Sequence, residues 1–121
     1  MAHSTALTCV SRIAGASLTG AQYTMVSASG NLNVVAPSAG AAVLGILQND
    51  PASGEEAAVA VGGESKIKLG ANLAAGARFA TNASGAAVAL TTGANIVGRI
   101  TVGGNSGEIG SCIIDAAGAS A

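Results

Sequence analysis

Eighteen of the 121 residues are glycine, spread along the whole chain. A glycine inside a helix costs roughly 1 kcal/mol relative to alanine, so no long helix is expected. Between the breaks lie short apolar runs, many of them β-branched, which is the pattern of short strands joined by turns. The runs predict ten strands: Ala6–Ile13, Gln22–Ser27, Leu32–Ala36, Val43–Leu47, Ala57–Val61, Glu64–Leu69, Arg78–Thr81, Ala87–Leu90, Ile96–Val102 and Glu108–Ile114. Gly62-Gly63, between the fifth and sixth, reads as a two-residue hairpin turn. The expected fold is all-β, a small β-sandwich or barrel-like single domain over residues 6–115. Residues 1–5 form an expected N-terminal arm and residues 116–121 a flexible C-terminal tail.

One strand can be read face by face. In Glu64-Ser65-Lys66-Ile67-Lys68-Leu69 the charges recur every second residue. Period two puts Glu64, Lys66 and Lys68 on one face and Ser65, Ile67 and Leu69 on the other. Tyr23 and Phe79 are the two aromatic residues, so the core has to be built from aliphatic side chains.

Charge is sparse, at 9% of residues against roughly a quarter in an ordinary domain. The net charge is −1, without a basic cluster. Nucleic acid is therefore not an expected partner, because binding it requires clustered cations against phosphate. A near-neutral surface also favours association between copies. The long stretch between Arg12 and Asp50 carries no charge, but glycine and polar residues interrupt it too often for a membrane span. No membrane partner is expected, and the N-terminal residues read as those of a chain made in the cytoplasm.

The residues that could carry chemistry are few. His3 is the one histidine, and neither a triad nor a metal site can be assembled from it with Cys9 and Cys112. No catalytic residue, metal or cofactor is expected. Gly15 to Gly20 has the glycine spacing of a phosphate-binding loop, but Ala21-Gln22 stands where Lys-Ser/Thr is required. Cys9 and Cys112 could pair if the terminal strands are neighbours, but in a reducing compartment they read as two buried small hydrophobes. Glu55 and Glu56 follow Asp50-Pro51-Ala52-Ser53-Gly54 and read as a solvated acidic loop that could meet a partner's basic patch.

The chain also echoes itself. Gly20-Ala21-Gln22-Tyr23 is similar to Gly76-Ala77-Arg78-Phe79, Ala28-Ser29-Gly30 to Ala83-Ser84-Gly85, and Val43 to Leu47 to Ile96 to Ile100. Two related β-units are expected, with both aromatics in the same slot and a pseudo-two-fold axis between the units.

From Val43 to Ile100 the order of landmarks is distinctive. Gly45-Ile46-Leu47-Gln48-Asn49-Asp50-Pro51 is followed by Ala57 to Gly63 and Lys66-Ile67-Lys68-Leu69-Gly70. Then come Leu73 to Thr81, Ser84-Gly85 and Ile96-Val97-Gly98-Arg99-Ile100. This series resembles the capsid cement, or head decoration, proteins of tailed bacteriophages. The resemblance implies a structural virion protein that binds the outside of an expanded head, staples major capsid protein and self-associates, as a homotrimer in many members. By the same analogy His3, Ser4 and Thr5, with Glu55 and Glu56, are the expected capsid or subunit contacts. Two other readings are another virion or tail-associated β-domain and a small ligand-binding β-barrel with a pocket at Tyr23 or Phe79. An enzyme would need Glu108, Asp115 and Arg99 in one buried cluster.

Overall fold

The structure is a computed structural model, and it describes residues 5–115. Nine strands are present among them: β1 Thr5–Ala14, β2 Met25–Ala28, β3 Asn33–Val35, β4 Gly45–Leu47, β5 Glu56–Lys68, β6 Arg78–Thr81, β7 Ala87–Ala89, β8 Gly98–Val102 and β9 Ile109–Ile114. They form one sheet in the order β1-β3-β2-β4-β5-β9-β8-β6-β7, with β1 also paired to β5. The fold is all-β, as expected, and barrel-like. The extra pairing closes β1, β3, β2, β4 and β5 into a ring. A parallel bridge between Leu69 and Ala87 closes β5, β9, β8, β6 and β7 into a second ring.

The ten expected strands become nine because Gly62-Gly63 does not turn the chain. β5 runs straight through it for 13 residues. Its first half pairs with β1 and its second half with β9. The pairing with β1 shifts register around Thr8, opposite Gly62, and Gly63 has φ +92°. The two glycines thus form a bulge at which one strand passes from the first ring to the second.

The rings are two copies of one unit. In the first, Met25 pairs with Ile46 and Val26 with Gly45; in the second, Arg78 pairs with Arg99 and Phe79 with Gly98. Ile46–Ala60 and Leu47–Val59 recur as Arg99–Ile113 and Ile100–Cys112. Ile13–Glu56 recurs as Lys68–Ile109, and the parallel pair Ala14–Val34 as Leu69–Ala87. Loop bonds repeat as well: Tyr23 N–H to Leu47 O matches Gly76 N–H to Ile100 O, both at 2.7 Å.

This register corrects the sequence echo in part. Val43–Leu47 does coincide with Ile96–Ile100. The aromatics, however, do not share a slot: Tyr23 stands where the second unit has Gly76, and Phe79 stands where the first has Val26. A true repeat that the echo missed is Ser53-Gly54-Glu55 with Ser106-Gly107-Glu108. Both glycines have positive φ, 85° and 91°, and in each copy the glutamate carboxylate accepts the N–H of the residue three positions earlier.

Each ring is filled by its own apolar cluster. The first holds Ala14, Leu18, Val26, Val34, Leu47, Ala57 and Val59. The equivalent positions of the second are Leu69, Leu73, Phe79, Ala87, Ile100, Gly110 and Cys112, where Phe79 supplies the bulk. The expected face assignment in β5 holds: Ser65, Ile67 and Leu69 are buried, while Glu64, Lys66 and Lys68 are partly exposed.

Candidate interaction surface

Four large hydrophobic side chains among the described residues are exposed: Ile13, Leu32, Ile109 and Ile113. Ile113 lies in a row that crosses the outside of the second ring. Arg78 on β6 pairs with Arg99 on β8, Arg99 with Ile113 on β9, and Ile113 with Glu64 on β5. Arg78 and Arg99 are both exposed, and Ile113 is 51% exposed. A small hollow of about 170 Å³ opens beside them, lined also by Ile96 and Asp115. Like charges directly opposite one another on a sheet are unfavourable. The Arg99 guanidinium is steadied by donating to Gly76 O at 2.9 Å.

The same row in the first unit is Met25–Ile46–Ala60–Cys9. There Met25, Ile46 and Ala60 are each 0% exposed. They face out of the first ring and join the core cluster of the second. Met25 N–H donates to Gly85 O at 2.8 Å, and Lys68 N–H donates to Tyr23 O at 2.8 Å. The side of the first unit that carries this row is thus sealed by the second unit.

The seal is one-directional. A two-fold relation would repeat every contact with the roles of the units exchanged. The Met25–Gly85 contact would then require Arg78 against Leu32. Arg78 is exposed, Leu32 is 61% exposed, and the Leu32 carbonyl accepts Ile13 N–H instead. The expected pseudo-two-fold axis is therefore replaced by a head-to-tail joint. It leaves two unsealed ends: the row Arg78–Arg99–Ile113 on the second unit, and the Ile13–Leu32 corner of the first.

Glu56 belongs to that corner. It is exposed and pairs with Ile13 across β1 and β5. Glu55 is exposed too, but its carboxylate is engaged with Ala52 N–H at 2.7 Å, bracing the turn. Thr5 opens β1 opposite Glu64. His3 and Ser4 lie outside the described residues.

The other candidate chemistry is placed as follows. Glu108, Asp115 and Arg99 are exposed and do not form a buried cluster. Cys9 is exposed and Cys112 buried, so only one of the two is the expected small hydrophobe; both are free, set on strands that flank β5. Burial pushes the Cys112 thiol up to about 12, the Glu64 charge acts in the same direction, and a backbone hydrogen bond at Ser65 opposes them. Phe79 fills the second ring and is fully buried there. Tyr23 lies on the outside with the Lys66 ammonium 5.6 Å from its ring centre. A wider depression of about 420 Å³, from Ala39–Gly40 to Thr91–Ala94, has no aromatic or charged lining residue. Among the described residues no group of three His, Cys, Asp or Glu side chains is placed to hold a metal ion.

No protein-family model matches the chain, and no curated protein does. Among solved structures the fold is similar to the N base of head fiber gp8.5 of bacteriophage phi29. The TM-score is 0.72 at 12% identity, covering 95% of this chain and 99% of that one.

Proposed function

We propose that this chain is a structural protein of a bacteriophage virion, acting on the outside of the head. The observation that carries this reading is the fold shared with a head fiber base over nearly the full length of both chains. The cement-protein resemblance of residues 43–100 supports the same class. In this reading the chain binds major capsid protein, self-associates and works by surface contact without catalysis. Charge-poor, glycine-rich β-units suit that role, because many weak contacts repeated over a lattice give avidity without a single strong site.

Within the class, two placements differ in what they do to the head. A decoration protein staples neighbouring capsomers and raises the heat resistance of the shell. A fiber base in this reading would hold an appendage without stapling capsomers, and so is expected to add no heat resistance. The test is cosedimentation of the purified chain with expanded heads stripped of decoration. Saturable binding at a fixed copy number, with heads that survive higher temperatures, is the expected result. Saturable binding without added heat resistance selects the fiber-base placement. Absence of binding to any head state overturns the reading.

A further inference from the structure

One edge of β1 is left open over much of its length. Cys9 to Ile13 pair with β5 between Ala60 and Glu56, while β3 meets β1 only at Ile13 and Ala14. Two bonds fix which way the backbone groups point. Ala14 N–H donates on the β5 side, to Glu55 O at 2.9 Å, and Ile13 N–H donates on the opposite side, to Leu32 O at 2.7 Å. Strand backbone alternates, so the N–H and C=O groups of Cys9 and Ser11 also point away from β5. Among the described residues no strand faces them. Arg12 Nη1 donates to Ser11 O at 2.8 Å, which leaves Cys9 N–H, Cys9 C=O and Ser11 N–H as the open groups. Cys9 and Ser11 are exposed, and no charge lies between Thr5 and Ser11.

The second unit shows what such an edge takes. Cys9 pairs with Ala60 as Glu64 pairs with Ile113, so Cys9 and Glu64 are equivalent. On its other edge Glu64 carries Thr5, in an antiparallel strand. Cys9 lacks the counterpart of that strand among the described residues. A folded unit cannot supply one in the manner of the internal joint. Leu32 stands where Gly85 makes room, and a Cβ at Gly85 would overlap the Met25 backbone. The edge therefore fits a bare extended segment. At its foot Ile13 and Leu32, 44% and 61% exposed, offer the side chains of such a segment an apolar footing.

We propose that β1 takes up an extended segment of the head's capsid protein as an added antiparallel strand, hydrogen-bonded to Cys9 and Ser11. This rests on the head-binding reading above and names the contact that performs it. Backbone bonds supply the affinity, and the side chains that reach Ile13 and Leu32 supply the selectivity. The segment is small or apolar in its side chains, because Cys9, Ser11, Ile13 and Leu32 offer it no charge.

The probe is the expanded head stripped of decoration. Ser11→Pro removes one outward N–H and leaves the pairing with β5 intact, since proline is tolerated where a strand N–H faces solvent. Its melting temperature should match that of the wild type, and its affinity for heads should fall about tenfold or more. Ser11→Ala keeps the N–H and should bind as the wild type does. In the wild type, hydrogen exchange at the Cys9 and Ser11 amides should slow when heads are added; if Ser11→Pro does not fold, this measurement decides alone. Heads bound equally well by Ser11→Pro, or Cys9 and Ser11 amides that exchange as fast bound as free, overturn the proposal and leave head binding standing. A wild type that binds no head overturns both. Slowed exchange at the same two amides on self-association without heads gives the edge to a second copy and overturns the proposal as well.

Discussion

Leu32 and Gly85 occupy the same position in the two units, and both hold a left-handed backbone, φ 63° and 80°. Gly85 is there by necessity. A Cβ on it would overlap the Met25 backbone and the Thr24 side chain in the joint between the units. Leu32 is under no such constraint, since its side chain is 61% exposed. A left-handed conformation costs a non-glycine residue roughly 1–2 kcal/mol. Leu32→Gly is therefore expected to stabilise the monomer by up to about 1 kcal/mol, once the added freedom of the unfolded chain is subtracted. Gly85→Leu should unfold it. Chemical denaturation of the two variants checks both signs.

Gly45 and Gly98 are equivalent and have the same reason to be glycine. A side chain at Gly45 would collide with Ala60 O, and one at Gly98 with Ile113 O, the carbonyls of equivalent partner strands. Neither obstacle is a flexible side-chain end, so the strands would have to part. Gly45→Ala and Gly98→Ala should each cost about 3 kcal/mol or more. Gly20→Ala meets open space and only a positive φ of 81°. It should cost roughly 1 kcal/mol. Urea midpoints of the three variants rank them.

The strands were legible in the sequence because glycine marks their ends, and the alternating charges of Glu64, Lys66 and Lys68 identified the faces of one of them. The Gly62-Gly63 hairpin was not decidable that way. The same dipeptide serves a turn or a bulge, and the choice is made by β1 and β9 arriving at different halves of β5. The repeat was visible but misaligned, since Ala-Ser-Gly is common here and aromatics are conspicuous. Ser53-Gly54-Glu55 and Ser106-Gly107-Glu108, spaced like Gly45 and Gly98, would have set the register. The joint left no local signal. Met25, Ile46 and Ala60 read as ordinary strand residues until the unit covering them is known. Arg78, Arg99 and Ile113 were not singled out together as a contact surface for the same reason.

Phe79 provides the largest fully buried side chain, and it stands where the first unit has Val26. Around it the second ring has Gly110 in the place of Ala57 and Ala87 in the place of Val34. The ring interior is thus fitted to one large residue among small ones. Phe79→Ala should cost about 3–5 kcal/mol, because the small neighbours cannot collapse into the space. Val26→Phe, in a ring lined by Val34, Val59 and Leu47, should also destabilise through overpacking. Thermal unfolding tests whether both directions of the exchange lose stability.

The two cysteines should respond to thiol reagents in opposite ways, and Cys112 should also shape the alkaline limb of the stability curve. Cys112 has its thiol raised from 9.0 to about 12, mainly by burial. For a group raised on folding, the associated stability is complete below the unfolded value and is lost as pH climbs toward the folded one. The Cys112 contribution is therefore constant below about pH 9 and declines between about pH 9 and 12, as the unfolded thiol ionises and the folded one does not. Cys112→Ala should flatten that part of the alkaline stability curve. In the native state a thiol reagent should label Cys9, which is exposed, without unfolding. Cys112 should be labelled only at the rate of unfolding, and adding denaturant should release it. Two equally fast native thiols would contradict the burial of β9 between β5 and β8.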